Sequence, residues 1–143
     1  MLVWGNGGCF GDGLMFAPFL TNVASYGFIA ISSGAPGGTG GTQPAQIAQS
    51  VDWISHLAGS GDYSTVDASR IAAAGQSCGG LEAYTLYNDS RVDVIGIFNS
   101  GILGNADDIK LVKQPVFYFL GGSTDIAYAN VSVLISTSPR LVM

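Results

Sequence analysis

Five short, largely apolar segments read as strands and each stops at a small or polar residue: Leu2-Val3-Trp4 before Gly5, Phe28 to Ile31 before Ser32, Ile71 to Ala74 before Gly75, Val92 to Phe98 before Asn99, and Val116 to Leu120 before Gly121. Short runs that are apolar without alternation suit strands buried on both faces. The segments between them carry helical spacing. Leu14, Phe16, Ala17, Leu20, Val23 and Ala24 recur at that spacing, with Pro18 inside the pattern to kink or shorten the helix and Gly27 to end it. Ile47, Ala48, Val51, Ile54 and Leu57 mark a second helical face from Pro44 to Leu57, and a third helix is expected from Gly79 to about Tyr87. Alternating strands and helices predict one α/β domain over residues 1–143: a doubly wound, mainly parallel sheet of about five strands with helices on both faces. Such sheets bind ligands beyond the carboxyl ends of their strands. The loops opening at Gly5, Ser32, Gly75, Asn99 and Gly121 are therefore where chemistry is expected.

Composition removes several function classes. Charged residues make up 10% of the chain, against about 25% in an average domain, and hydrophobic residues make up 48%. That balance excludes a disordered chain. The net charge is -5 and the five basic residues are scattered at 70, 91, 110, 113 and 140, so no nucleic-acid partner is expected. The most apolar window, Leu14 to Ile31, is interrupted by Pro18, Thr21, Asn22, Ser25 and Gly27, which argues against a membrane span. Met1 leads straight into Leu-Val-Trp-Gly, with no secretory leader in view, and the compartment stays open. One histidine and scattered carboxylates provide no metal cluster, and no cofactor is expected. The sequons at Asn88 and Asn130 matter only in the secretory pathway. The glycine run Gly34 to Gly41 follows a strand and precedes a helix, as a phosphate loop would. It breaks G-x-G-x-x-G and is followed by no Gly-Lys-Ser/Thr, so a nucleotide-binding module is the weaker rival.

Gly75-Gln76-Ser77-Cys78-Gly79 fits G-x-S-x-G, and it lies between a strand and a helix, the context that motif requires. Small residues there permit a sharp turn that lifts the serine hydroxyl clear of the sheet. The bland alternative is a glycine-rich turn with a capping serine. Gly5-Asn6-Gly7-Gly8-Cys9 follows the first strand. Acyl transfer needs two backbone N–H groups aimed at the developing oxyanion, each typically worth about 10²–10³ in rate. The Cys78 amide supplies one in this reading, and Asn6 or Gly7 the other. Gly121-Gly122-Ser123-Thr124-Asp125 follows the last strand, and Asp125 is the candidate acid, in the chain order nucleophile then acid. Asp93 and the pair Asp107/Asp108 fit that role less well. Trp4, Phe10, Tyr26, Tyr84 and Tyr128 are candidates to line an acyl pocket.

In these motifs the chain resembles the α/β-hydrolase superfamily, most of all secreted fungal esterases of the dienelactone-hydrolase and cutinase (polyester hydrolase) branch. The resemblance rests on Trp4-Gly-Asn-Gly-Gly-Cys9, Gly27-Phe28, Ser69-Arg70-Ile71-Ala72, Gly75-Gln-Ser-Cys-Gly-Gly80 and Gly121-Gly-Ser-Thr-Asp125, in that order. It runs from about residue 2 to about residue 130. It implies Ser77 as nucleophile, Asp125 as acid, secretion, and small or polymeric carboxylic esters as substrates. With Cys9 after the oxyanion loop and Cys78 after the nucleophile, such a fold brings both loops together. The expectation is then a Cys9–Cys78 disulfide, against two small buried thiols.

The departure from that family is the base. Its catalytic histidine follows the acid, and no histidine follows Asp125; the single histidine, His56, falls near the end of the second helix. Against the family pattern the chain is expected to be a core truncated at both ends, without the first strands and the final histidine-bearing segment. Removing a triad histidine costs about 10⁶ in turnover, near 8 kcal/mol. That leaves two alternatives: a serine ester hydrolase with little or no turnover, or a non-catalytic protein that binds esters or hydrophobic ligands on the same fold. A lost final strand would also leave a sheet edge open to self-association.

Overall fold

The computed structural model describes residues 1–101, 111–137 and 141–142. The expected α/β architecture is present. Six parallel strands form one sheet in the order β2-β1-β3-β4-β5-β6. They are β1 (Leu2–Gly5), β2 (Ala30–Ser32), β3 (Ile71–Gln76), β4 (Val92–Phe98), β5 (Val116–Phe119) and the two-residue β6 (Leu141–Val142). The helices are α1 (Ala17–Ser25), α2 (Pro44–Leu57), α3 (Cys78–Tyr84) and α4 (Tyr128–Thr137).

Period-two alternation along the strands sorts the apolar side chains to two faces. Val3, Ala73, Ile95, Ile97, Val116 and Tyr118 pack with Ile47, Val51 and Ile54 of α2, Ala83 of α3 and Val131 of α4. On the other face Trp4 and Ala74 pack with Leu20 of α1, beside Phe16 and Phe98. The helices thus lie on both faces, unequally. Phe117 (39% exposed) and Phe119 (50% exposed) stay open to solvent on β5, with Phe119 stacked on Phe98 at 4.2 Å.

Three expectations change in detail. Leu14 and Phe16 precede α1 rather than belonging to it, because Pro18 occupies the first turn, where its missing N–H costs nothing. The second strand is Ala30–Ser32, not Phe28 to Ile31; Phe28 is 52% exposed. The third helix ends at Tyr84 and passes into a 3-10 turn at Thr85–Asn88. The α4–β6 segment is an addition that nothing in the tail's sequence suggests. Asp107 and Asp108 lie outside the described residues.

Three glycines set how closely α3 approaches the sheet. A Cβ on Gly79 would land on the Gly5 carbonyl group, and a Cβ on Gly75 would land on the Gly79 carbonyl. A Cβ on Gly5 would meet that same Gly79 carbonyl. The start of α3 therefore rests backbone to backbone on the ends of β1 and β3. Gly79→Ala adds about 1 kcal/mol of helix propensity but forces the backbones apart. We expect the clash to dominate, with a net loss of about 1–3 kcal/mol in urea unfolding; unchanged stability would show that the contact is not tight.

Candidate active site

The turn from β3 into α3 places Ser77 at φ 51° and ψ −119°. Its amide donates to the Phe98 carbonyl of β4 (2.9 Å), and its own carbonyl accepts from the Gly80 amide (2.9 Å). Ser77 precedes α3 in the N-cap position, yet its side chain makes no capping hydrogen bond. A serine kept in a left-handed conformation only to cap a helix would be expected to use its hydroxyl; among the described residues this one has no hydrogen-bond partner, and Ser77 is half-buried at the sheet's carboxyl edge.

Strain is concentrated at this edge. Among the described residues the non-glycine positions with positive φ are Cys9 (50°), Ser77 (51°) and Asn99 (47°). They follow β1, β3 and β4, which are neighbours in the sheet. Such conformations cost about 1–3 kcal/mol each and persist where surrounding structure enforces them.

The loop after β1 turns through a 3-10 turn, Gly7–Cys9. The Asn6 side chain is fully buried and consumed by structure. Its Nδ2 donates to the carbonyls of Phe10 (2.9 Å), Asp12 (2.8 Å) and Ser33 (3.1 Å), and its Oδ1 accepts from the Ser32 hydroxyl (3.2 Å). The Asn6 backbone nitrogen lies against Gly79, whereas Gly7 packs on the Gln76 side chain, one residue before Ser77. Cys78, the first residue of α3, has an amide with no acceptor inside the helix.

A disulfide joins Cys9 to Cys78, with a Cα–Cα distance of 5.2 Å. The same turn is tied to α3 a second time. The Cys9 carbonyl accepts from the Thr42 amide (2.6 Å), and the Thr42 hydroxyl donates to Oε1 of Glu82 (2.8 Å). Glu82 is 3% exposed, its Oε2 has no partner among the described residues, and burial raises its pKa against the lowering effect of Thr42. Sequence reasoning misses both Glu82 and Thr42; nothing marks them except a carboxylate on the inner side of a short helix.

Asp125 sits after β5, half-buried. Its Oδ2 accepts from the Asn99 side chain (2.7 Å) and the Gly121 amide (2.8 Å), and its Oδ1 from the Ala127 amide (2.9 Å). Those bonds, the Gly121 amide foremost, hold its carboxyl below the ordinary range. In the sequence Asn99 stands out only as a strand terminator. Its amide donates to the Phe119 carbonyl (2.8 Å), so it lies between the loops of Ser77 and Asp125 and orients the latter. Asp93 instead accepts from the Ile71 amide (2.9 Å) between the strand starts.

The other candidates do not converge. His56 is an exposed residue in the last turn of α2. That helix runs back from the carboxyl edge, so His56 lies toward the opposite end of the sheet. Trp4 is core, packed on Phe16, Phe19 and Phe98 at 5.0–5.3 Å. Tyr84 points inward, its hydroxyl 3.3 Å from that of Tyr118. Phe10 and Tyr26 are exposed, at 56% and 75%. These four therefore form no common pocket, and Tyr128, half-buried, opens α4. A groove of about 500 Å³ runs along the β2 edge between α1, Trp53 and Tyr63, and Ser77 does not line it. Among the described residues no helix is long and apolar enough to cross a membrane. The sequence matches no family model and no curated protein.

The disulfide and Glu82 each make a measurable prediction. A disulfide closing a loop of this length contributes about 4 kcal/mol in the chain-entropy account. Reduction should lower the urea midpoint by about 2 M at an m-value of about 2 kcal/mol/M; an unchanged midpoint would mean the bridge restrains nothing in the unfolded chain. For Glu82, the raised pKa means the folded state holds that proton more tightly than the unfolded state. The associated stability is full below the unfolded value near 4.3 and lost as pH rises through the folded value. The stability of the wild type relative to Glu82→Gln should therefore increase from pH 7 to pH 4.5.

Proposed function

We propose that this domain is a serine carboxylic-ester hydrolase in architecture, with Ser77 as the nucleophile and Asp125 as the acid. The amides of Cys78 and Gly7 are the oxyanion donors. The observation that carries this reading is the strained, unengaged Ser77 at the turn between β3 and α3. Gly7 is favoured over Asn6 because it packs beside Gln76, while the Asn6 backbone nitrogen faces Gly79. Asp125, held ionised by three donors, can orient and stabilise an imidazolium, the role of the acid in acyl transfer.

The proton acceptor is the part this chain does not supply at the site, since His56 is on α2. Without a base a serine hydroxyl is a weak nucleophile at neutral pH. Turnover by these residues alone is therefore small. That favours a second reading, a non-catalytic binder of esters or hydrophobic ligands that keeps the donor pair without the proton transfer.

Hydrolysis of p-nitrophenyl acetate separates the two. Imidazole added to solution supplies the missing base. The Ser77→Ala variant sets the background, including direct attack by imidazole on the ester. A hydrolase site predicts that imidazole raises the wild-type rate at least tenfold above that of Ser77→Ala, and that Asp125→Ala reduces the increment. Equal rates in the wild type and Ser77→Ala at every imidazole concentration would leave only the binder.

A further inference from the structure

We propose that the Cys9–Cys78 disulfide is a redox switch on the donor pair, an inference that rests on the site reading above. The bridge joins the two elements that carry the donors. Cys9 closes the turn containing Gly7, and Cys78 carries the second donor itself, directly after Ser77. Both cysteines are half-buried, so neither end of the bridge is sealed in the core.

The bond also spans two of the three strained positions. Cys9 (φ 50°) is one end of the bridge, and Ser77 (φ 51°) is the residue before the other. Left-handed residues relax when the constraint holding them is removed. The remaining ties are unequal. Toward α3, among the described residues, the hydrogen-bonded tie the turn keeps is the Cys9 carbonyl–Thr42–Glu82 chain. Toward β2 the Asn6 side chain still donates to the Ser33 carbonyl and accepts from the Ser32 hydroxyl, while its bonds to the Phe10 and Asp12 carbonyls hold the loop to itself. Once the bridge opens, the turn stays anchored on the β2 side and loosens from α3, which separates the Gly7 amide from that of Cys78.

The chemistry is a two-electron exchange with a dithiol. One dithiol sulfur, as thiolate, attacks a bridge sulfur, and the other cysteine leaves as a thiolate that takes up a proton. The second dithiol sulfur then displaces the remaining cysteine, which is also protonated. The dithiol ends as a cyclic disulfide, having given up two electrons and two protons. The reverse exchange with an oxidised dithiol closes the bridge.

Hydrogen exchange on the full chain tests this without reference to hydrolysis. In the protein reduced with dithiothreitol, amides from Gly7 to Phe10 and from Ser77 to Gly79 should exchange at least tenfold faster, while β4 and β5 keep their protection. Reoxidation should restore the slow rates, and Thr42→Val should enlarge the difference. Unchanged exchange in both segments would overturn the switch. Loss of protection throughout the sheet would also overturn it, leaving the bridge a global staple. The Cys9→Ala/Cys78→Ala pair mimics the open state without free thiols, which themselves cleave p-nitrophenyl esters. Imidazole-assisted, Ser77-dependent cleavage should fall at least tenfold in that pair. Equal cleavage would overturn control of the site by the bridge. Altered exchange with no Ser77-dependent cleavage in either form would fail the hydrolase reading and leave the switch standing.

Discussion

The backbone contact among Gly5, Gly75 and Gly79 is the constraint on which the carboxyl edge of this sheet depends. A helix that follows a strand normally stands off by the width of its side chains, with axes 8–10 Å apart when two helices pack. Here α3 begins in direct contact with the ends of β1 and β3. That approach forces the chain to reverse within one residue, and Ser77 absorbs the reversal in a left-handed conformation. It also brings the first turn of α3 beside the loop after β1, which makes a bond between Cys9 and Cys78 sterically accessible. Side chains at any of the three positions would move α3 outward and take Ser77 with it.

The close contact leaves the edge with rigid and conditional parts. Asn6 is rigid: it is fully buried and its amide satisfies carbonyls from two separate loops. Asn99 is rigid in a similar way, fixed by the ladder at its backbone and by Asp125 at its side chain. The turn Gly7–Cys9 is conditional, because its hold on α3 depends on one covalent bond and on a carboxylate whose second oxygen is unpaired. A buried unpaired oxygen makes Glu82 a weaker anchor than its burial suggests, since desolvation opposes the charged form that would accept most strongly from Thr42.

Most of the sheet was legible because local and tertiary preferences agree there. The limits of α2 coincide with Pro44 at its start and the Gly59 break after its end, and β4 coincides with a largely apolar run, broken by Asp93 and Gly96, that Asn99 closes. Legibility failed where one residue type serves two ends. Leu14 and Phe16 carry helical spacing but belong to the approach to α1, since Pro18 cannot sit deeper in a helix. Trp4 and Tyr84 have the spacing of pocket residues and are core, because a one-dimensional pattern does not say which face of the sheet an aromatic reaches. Ser77 and Asp125 could be nominated from loop position alone. The Asn99–Asp125 pair and the Glu82–Thr42 pair could not, since each joins residues 26 to 40 positions apart with no motif at either end.

The electrostatics of Asp125 bear on what the edge is for. Its lowered pKa arises from hydrogen bonds alone: two backbone amides and the Asn99 side chain. Among the described residues no cation contributes, so the carboxylate is stabilised as an anion without being neutralised. A structural aspartate in a turn commonly satisfies one or two nearby amides and stops there. Asp125 does that, and in addition recruits a strained residue from the neighbouring strand, at the end of the sheet that carries Ser77. Three donors leave acceptor capacity on a carboxylate, which offers about four lone-pair sites. On the proposed reading that spare capacity, together with the uncompensated charge, is what an imidazole N–H would engage. On the same reading the oxyanion side of the chemistry rests on the glycines and the disulfide, and the Asn99–Asp125 pair is the part that would hold an imidazole base.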